Sequence, residues 1–384
     1  AGETQEESCR RRKEETIQIR KNKRLQNLQK RRAMARASKN AAGSTTNTNE
    51  VFTSSTNINL NEGSVATVEQ LPHIAANLKK MTPEQRYQAT RSVRRLLSRQ
   101  ENPPAKEVIE AGLVPILVLE LGLVSEEKTQ FEAAWALTNI ASTEHTSVIV
   151  NQGAIPYLIK LMRSKNPDIR EQCLWCLGNV AGDGHELRDF VLKQGALNNL
   201  LMNIKHAASE SLLANATWTL SNFCRGKPAP TLDAIKPALH YLAGLIKHTK
   251  MDIVGDACWA LSYISDGEDD RIQACLDLGI VPTLIRLLSS EKTSVVTPAL
   301  RTLGNIVTGN DSQTQAVLDV GIFGPVSRLL DHPKRNLRKE ACWTLSNIAA
   351  GTAPQVGCLV RNLGLTVRKP QMMTTTRIHV YSQF

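Results

Sequence analysis

The sequence has no apolar run long enough to cross a bilayer. Its most apolar stretch, AGLVPILVLELGLV at residues 111–124, contains a proline and a glutamate and is shorter than the roughly 20 residues of a transmembrane helix. No apolar stretch precedes the acidic opening AGETQEES, and the eight cysteines are scattered. These absences predict a soluble protein of the cytosol or nucleus with reduced thiols and no membrane insertion.

The sequence also lacks the residue clusters that metal, phosphate and catalytic sites need. Cys173 and Cys176 form a C-L-W-C pair, but no second pair and no His follows at metal spacing, so no metal is predicted. The GDG at 182–184 has no Lys-Ser/Thr partner and is typical of a turn after a helix. No His, Cys or carboxylate constellation recurs beside a nucleophile, so an enzyme is the least expected class and no cofactor is predicted.

Positive charge is concentrated at one end of the chain. The net charge is +11, and residues 1–39 hold 13 Lys or Arg against 5 Glu, a net +8. Residues 1–37 contain too few apolar side chains to form a core, and we expect this basic segment to be disordered until a partner binds it. Residues 38–70 are rich in Ser, Thr, Asn and Gly, which predicts a flexible linker. A nucleic-acid arm is an alternative, disfavoured because the basic run lacks aromatic residues.

A motif that places an Asn four residues after a Trp recurs along the rest of the chain. WALTNIAS returns as WCLGNVAG, WTLSNFCR, WALSYISD, RTLGNIVT and WTLSNIAA, beginning at residues 135, 175, 218, 259, 301 and 343. The spacing of 40 to 43 residues is typical of armadillo or HEAT repeats. A glycine keeps the same period, at Gly112, Gly153, Gly195, Gly279 and Gly321. We expect an all-α, right-handed superhelical solenoid of about seven armadillo repeats over residues 71–356, each with a short helix, a Gly turn and two longer helices.

The repeated Trp and Asn share a helix face that differs from the aliphatic core stripe. An Asn inside a helix costs about 0.5–0.7 kcal/mol relative to Ala, so its repetition indicates a use. We expect exposed amides beside a row of indoles, with acidic residues three positions before three of the anchors: Glu132, Asp256 and Glu340. Such a surface suits an extended basic peptide, whose main chain binds the amides and whose cations contact indoles and carboxylates. Asp183, near a helix C-terminus, is the predicted partner of the most deeply held lysine.

The basic N-terminal segment and the motifs FEAAWALTNIAS, CLGNVAGDG, NATWTLSNFCR, DACWALSYISDG and RTLGNIVTGND resemble the importin α family over residues 10–356. The resemblance implies a nuclear import adaptor that binds Lys/Arg-rich nuclear localisation signals of cargo proteins and, through its basic segment, importin β. Such an adaptor shuttles between cytoplasm and nucleus and does not bind nucleic acid directly. The implied major signal-binding site comprises Trp135, Asn139, Ser142, Thr146, Gln172, Trp175, Asn179, Asp183, Asn215, Trp218 and Asn222, with Asp256 added from the acidic pattern. The implied partial minor site comprises Arg301, Asn305, Glu340, Trp343 and Asn347.

Two departures from the repeat pattern predict a divided groove. Tyr263 stands where the motif has Asn, and Arg301 stands where it has Trp. A cation at a Trp position should repel a ligand's Lys or Arg. The resemblance also identifies Lys30, Arg31 and Arg32 as an internal signal mimic. A basic triplet on a flexible tether meets a Lys-binding groove at high effective concentration, which predicts autoinhibition.

Residues 357–384 have no Trp–Asn anchor, no Gly-led helix pair and no acidic stretch. We therefore expect a divergent, poorly ordered C-terminal tail, a weak minor site and loss of export-receptor binding. The alternative function is an armadillo scaffold in signalling or adhesion. The repeated Asn residues disfavour this alternative, because such scaffolds usually present basic grooves to acidic ligands.

Overall fold

The computed structural model describes residues 64–99 and 102–363. These ranges are helical and contain no β-strand, which confirms the all-α armadillo class. The chain divides into two compact units, between Thr219 and Leu220. No helix in the described ranges is long and apolar enough to span a membrane. The basic segment 1–37, the triplet at 30–32 and residues 364–384 lie outside the described residues.

The first unit consists of successive short and long helices with two 3-10 turns, Val68–Gln70 and Leu78–Lys80, near its start. Its α-helices in the described ranges are α1 (Leu71–Asn77), α2 (Pro83–Leu97), α3 (Ala105–Glu110), α4 (Leu113–Glu120), α5 (Glu127–Ala141), α6 (Thr146–Asn151), α7 (Ala154–Leu161), α8 (Pro167–Asp183), α9 (His185–Lys193), α10 (Ala196–Lys205) and α11 (Glu210–Cys224). Helix α11 begins in this unit and ends in the second.

The second unit repeats the same order of helices. It contains α12 (Leu232–Ile235), α13 (Leu239–Leu245), α14 (Met251–Ile264), α15 (Asp269–Leu276), α16 (Val281–Leu287), α17 (Thr293–Ile306), α18 (Asp311–Leu318), α19 (Phe323–Leu330), α20 (Arg335–Ala349) and α21 (Ala353–Leu363). A 3-10 turn, Lys236–Ala238, joins α12 to α13.

Each complete repeat has two short helices and one long third helix. In the repeat formed by α6, α7 and α8 the helices have 6, 8 and 17 residues, so the expectation of two longer helices per repeat is wrong. The second helix ends at Leu161, and the third begins at Pro167 with strong start signals. Asn166 Oδ1 accepts a hydrogen bond from the Asp168 amide at 3.0 Å, and Pro167 occupies the first helical position.

The predicted glycine turns between first and second helices are confirmed. All five glycines are in the left-handed region, with φ of 74° at Gly112, 77° at Gly153, 80° at Gly195, 63° at Gly279 and 87° at Gly321. Residues with a Cβ rarely adopt this conformation, which explains why glycine returns with the repeat period.

Consecutive third helices pack against one another within each unit. Helices α2, α5 and α8 do so in the first unit, and α14, α17 and α20 in the second. The aliphatic stripe of α5 forms part of this core, since Leu137 and Ile140 are completely buried. Burying such a side chain stabilises the fold by roughly 1.5–3 kcal/mol. All six sequence anchors, from residue 135 to residue 343, lie in third helices.

The last residues of the predicted linker are ordered. The Ala66 amide donates to Ser92 O at 3.4 Å, and the Thr67 amide donates to Gln70 Oε1 at 3.0 Å. Residues 64–70 are therefore part of the first unit, and the expectation of a flexible linker up to residue 70 is wrong for them.

Helix α21 crosses the predicted end of the repeats at residue 356. Gln355 Nε2 donates to Asp311 O at 2.9 Å, and Gln313 Nε2 makes the same bond to Asp269 O at 2.9 Å, 44 residues earlier in both cases. Helix α21 is thus placed as the first helix of another repeat. The expected poor order from residue 357 is wrong for residues 357–363.

Candidate functional site

The third helices of the first unit bring the predicted Trp and Asn residues together. Trp135 and Asn139 lie on α5, and Trp175 and Asn179 lie one helical turn apart on α8. Trp218, on α11, lies against α8 at the position of Gly178, next to Asn179 in the chain. We call the surface formed by Trp135, Asn139, Trp175, Asn179 and Trp218 the Trp–Asn face.

The repeated Asn residues connect successive third helices. The amide nitrogens of three of them donate to groups at the C-terminal end of the preceding third helix, where backbone carbonyls often need a partner outside the helix. The three bonds are Asn139 Nδ2 to Ser98 Oγ at 3.0 Å, Asn179 Nδ2 to Thr138 O at 3.2 Å and Asn305 Nδ2 to Ser262 O at 2.8 Å. These bonds offset the helix-propensity cost of Asn, and sequence reasoning did not predict them.

The predicted binding residues are buried in the folded chain. Trp175 is 0 % exposed and Trp135 is 9 % exposed. The expectation of exposed amides is therefore wrong, because their nitrogens turn toward the neighbouring repeat. The buried members of the predicted major site are Trp135, Asn139, Ser142, Thr146, Gln172, Trp175, Asn179, Asn215, Trp218 and Asn222.

Two buried amide oxygens have unused hydrogen-bonding capacity. Gln172 Nε2 donates to Thr138 Oγ1 at 2.7 Å, and Asn139 Nδ2 donates to Ser98 Oγ, so both amides are fixed in orientation. Asn139 Oδ1 and Gln172 Oε1 accept no hydrogen bond in the described part of the chain. A buried acceptor without a donor costs about 1–3 kcal/mol. These oxygens are suited to accept N–H groups from a bound peptide.

Asn215 is paired with an acidic residue that the sequence analysis missed. Its Nδ2 donates to Glu171 Oε1 at 2.7 Å, and Ser211 Oγ donates to the same oxygen at 2.8 Å. Glu171 directly precedes Gln172 in α8. The 44-residue separation of Glu171 and Asn215, close to one repeat period, is the only sequence signal for this pair.

Ser142 and Thr146, two members of the predicted major site, make structural hydrogen bonds between α5 and the start of α6. Ser142 Oγ donates to Asn139 O at 2.7 Å, and Thr146 Oγ1 donates to Thr143 O at 3.0 Å. Both hydroxyls therefore satisfy backbone carbonyls near the helix terminus.

The acidic residues of the pattern differ in their availability. Glu132 pairs with Arg94, and Glu340 pairs with Arg301. The expectation that these two carboxylates are available to a ligand's cations is therefore wrong. Asp183 is the last residue of α8 rather than a residue beyond it, and it is half-buried. Asp256, half-buried on α14, belongs to the second unit.

The second unit clusters three of the five predicted minor-site residues. Arg301 Nε donates to Glu340 Oε2 at 2.6 Å, and its Cζ lies 5.7 Å from the centroid of the Trp343 ring. The hydrogen bond that Arg301 donates to Glu340 raises the pKa of Arg301 above its ordinary value. Arg301 is thus a paired cation, not the isolated positive charge that the sequence analysis expected. Asn305 is buried and donates a hydrogen bond to Ser262, while Asn347 is half-buried and its Nδ2 donates no hydrogen bond within the described ranges.

The other departure from the motif also has a structural partner. Tyr263 stacks on Trp259, with ring centroids 5.8 Å apart and an interplanar angle of 23°. One side of the Trp259 ring is thereby covered by a second aromatic ring rather than flanked by an amide.

The paired cysteines lie inside α8. Cys173 and Cys176 are both buried, and burial raises the pKa of the Cys176 thiol to about 12. Such a thiol stays protonated and is a poor metal ligand. No group of three or more His, Cys, Asp or Glu residues in the described ranges is placed to hold a metal ion.

Family models of known proteins match both the N-terminal segment and the repeat region of the chain. The family model of the Armadillo/beta-catenin-like repeat matches residues 101–142, 142–182, 268–308 and 310–350. The model of the Importin beta binding domain matches residues 1–91, which extends beyond the predicted segment 1–37. Importin subunit alpha-2 of Arabidopsis thaliana is 46% identical over 288 residues, covering 74% of this chain and 52% of that protein. Importin subunit alpha-3 of the same plant is 47% identical over 285 residues, with the same coverage.

Solved structures support the same fold. A crystal structure of an engineered protein has a TM-score of 0.71 at 27% identity, covering 77% of this chain and 72% of that one. A designed armadillo repeat protein has a TM-score of 0.56 at 24% identity, covering 61% of this chain and 98% of that one, a likeness of fold alone. The chain spans about half the length of the curated relatives it matches. The N-terminal match to the Importin beta binding domain, the armadillo repeats and the 46% identity over 288 residues make the chain similar to importin α subunits.

Proposed function

We propose that this chain is a nuclear import adaptor. In this proposal the Trp–Asn face of the first unit binds Lys/Arg-rich localisation signals of cargo proteins, and the N-terminal basic segment binds importin β. The adaptor moves between cytoplasm and nucleus with its cargo and catalyses no reaction. Similarity to importin α subunits supports the class of function, and the geometry of the face supports the class of ligand.

The observation that carries the proposal is the pair of fixed acceptors, Asn139 Oδ1 and Gln172 Oε1. They come from neighbouring third helices, and each residue is within one helical turn of a Trp on its own helix, Trp135 or Trp175. An extended peptide presents main-chain N–H groups to such acceptors, and its Lys or Arg stems can lie along the indoles. Asp183, at the end of α8, adds a carboxylate near a helix C-terminus, where positive charge is favoured.

Autoinhibition is part of the proposal. The basic triplet at 30–32, which lies outside the described residues, competes with a ligand's cations for the Trp–Asn face. Such competition lowers the apparent affinity of a ligand by the fraction of chains whose face is free of the triplet.

The test is titration of a fluorescein-labelled Lys-rich peptide onto the full chain and two matched Asn variants. Asn139→Ala removes an amide whose oxygen has no partner in the described ranges. Asn203→Ala is the control, because Asn203 Nδ2 donates to Met162 O at 2.9 Å across a repeat boundary while its Oδ1 accepts from Arg170 Nε at 3.0 Å. Both variants lose a similar repeat-to-repeat bond. Only Asn139→Ala should weaken peptide binding, by about tenfold.

Equal affinities for the parent and both variants, with unchanged circular dichroism, would contradict this assignment of the face. An acidic peptide of equal length separates the two classes of function. Tighter binding of the acidic peptide than of the Lys-rich peptide would favour the scaffold reading instead.

A further inference from the structure

An arginine lies on the first indole of the Trp–Asn face. Arg94, on α2, has its Cζ 4.1 Å from the centroid of the Trp135 ring. Its Nη2 donates to Glu132 Oε1 at 3.0 Å, and its Nε pairs with Glu132 Oε2. Glu132 is on α5, three residues before Trp135. One guanidinium thus contacts an indole and a carboxylate of the next third helix.

The second unit contains the same cluster. Arg301, on α17, pairs with Glu340 and lies over Trp343, and both of these residues belong to α20. The arginine precedes the Trp by 41 residues in the first cluster and by 42 in the second, and Glu precedes Trp by three in both. The clusters therefore occupy the same place in their repeats.

The first cluster is the more deeply buried. The side chains of Arg94 and Glu132 are 12% and 6% exposed, against 45% and 16% for Arg301 and Glu340. A cation over an indole that also meets a carboxylate is the arrangement in which a bound Lys or Arg side chain would be held. Arg94 places the chain's own cation in that arrangement.

We propose that Arg94 is a specificity-determining residue. It makes Trp135 the last indole of the Trp–Asn face that can hold a basic side chain of the bound peptide. Its guanidinium occupies the side of the indole that faces α2 and neutralises Glu132, so a ligand's cation cannot be held there. A peptide that extends past this indole with further basic residues therefore gains no affinity from them. The inference rests on the proposed binding of basic peptides to the Trp–Asn face.

The variants follow from the contacts around Glu132. Arg94→Ala exposes the indole and frees the carboxylate, whereas Arg94→Lys keeps a cation in place. Arg91 is the nearest other cation, with its Nε 3.9 Å from Glu132 Oε1. In Arg94→Ala, Arg91 could pair with Glu132 in place of Arg94, and the double variant Arg91→Ala/Arg94→Ala removes that possibility. Arg86→Ala is the control, because Arg86 Nη1 pairs with Glu126 Oε1 at 2.7 Å at the start of α5, away from the indole cluster.

The assay compares labelled peptides bound by the full chain at one ionic strength. The set is a Lys-rich core, the core extended by Lys at either terminus, and the core extended by Ala at either terminus. The measured quantity is the affinity of the Lys extension relative to the Ala extension at the same terminus. Competition from the basic segment changes both affinities by the same factor and cancels from this ratio.

For one terminus, the ratio should rise about tenfold over the parent in Arg94→Ala and in the double variant, the gain expected of a new cation–π and carboxylate contact. Arg94→Lys and Arg86→Ala should match the parent at both termini. Identical ratios in the parent, Arg94→Ala and the double variant would overturn the inference, as would an equal rise in Arg86→Ala. If the folded parent binds none of the peptides, the proposed function fails as well, a result distinct from unchanged ratios.

Discussion

Substituting Gly178 by Ala should displace an indole of the Trp–Asn face. Gly178 lies in the middle of α8, where an added Cβ would be 2.5 Å from Trp218 Cζ3 and 2.8 Å from Thr219 Oγ1. Carbon atoms in favourable contact lie about 3.5–4.0 Å apart. The Trp218 ring must therefore move by roughly 1 Å or more, or helix α11 must shift.

Two opposing effects set the size of the change in stability. Ala in place of Gly inside a helix stabilises it by about 1 kcal/mol. Overpacking a well-packed core costs about 1–3 kcal/mol. Trp218 is buried, and Thr219 Oγ1 is held by 2.8 Å hydrogen bonds to Leu174 O and Asn215 O. Since neither neighbour can move freely, we take the upper part of that range and expect a net loss of about 1–2 kcal/mol.

Gly304→Ala is the matched control in the second unit. A Cβ at Gly304 would meet the same ring atom, Cζ3, of Trp343. The added Cβ would also lie 2.9 Å from Thr344 Oγ1, but Trp343 is 37% exposed and its indole can move into solvent, so the loss of stability should be smaller than at Gly178. Urea unfolding followed by circular dichroism should show a lower midpoint for Gly178→Ala than for Gly304→Ala. Affinity for a Lys-rich peptide should fall about tenfold only in Gly178→Ala.

The reasoning is refuted if Gly178→Ala is as stable as the parent, or more stable, and binds the peptide equally well. That outcome would mean that the Trp218 indole is not held against α8.

Three further outcomes are expected. Burial raises the pKa of the Glu120 carboxyl from 4.5 to about 8 despite its hydrogen bonds from Thr90, so the neutral form stabilises the fold. The unfolding free energy should consequently decrease as pH rises from about 4.5 to about 8, at most by about 1.4 kcal/mol per pH unit, and Glu120→Gln should flatten a plot of urea midpoint against pH. Replacing the basic triplet at 30–32 by Ala should strengthen peptide binding without any receptor, measured by anisotropy, because a competing bound state is lost; equal affinity would contradict autoinhibition. Trp175→Ala should weaken peptide binding by about 1–3 kcal/mol, measured by calorimetry. A loss of binding free energy below a few tenths of a kcal/mol would assign this indole to the core alone.

The repeat architecture could be predicted because its signals are local and recur. Gly153 marks a turn by its own backbone requirement, and the third helix that follows begins with Asn166 and Pro167, whose start signals are visible in the sequence. The predicted Trp and Asn positions of the first unit do lie on consecutive third helices. The period was sufficient to identify which residues lie on equivalent faces.

The contacts between repeats could not be predicted in the same way. The pairing of Arg94 with Glu132 joins residues 38 apart in the chain, and nothing near either one indicates the other. The amide of Asn139 was expected to face a ligand, but its nitrogen binds Ser98 Oγ in the preceding repeat. A hydrogen bond of this kind depends on the distance between two helices, which a periodic pattern does not specify.

Calorimetric titration of a Lys-rich peptide onto the full chain and onto Asp183→Lys tests the central claim most directly. The substitution places a repulsive charge at the half-buried end of α8, beside the proposed cation site. The account predicts measurable binding by the parent and loss of binding by the variant, with identical circular dichroism spectra. Equal affinity of the two folded proteins for the peptide would contradict the claim that the Trp–Asn face of the first unit binds basic signals.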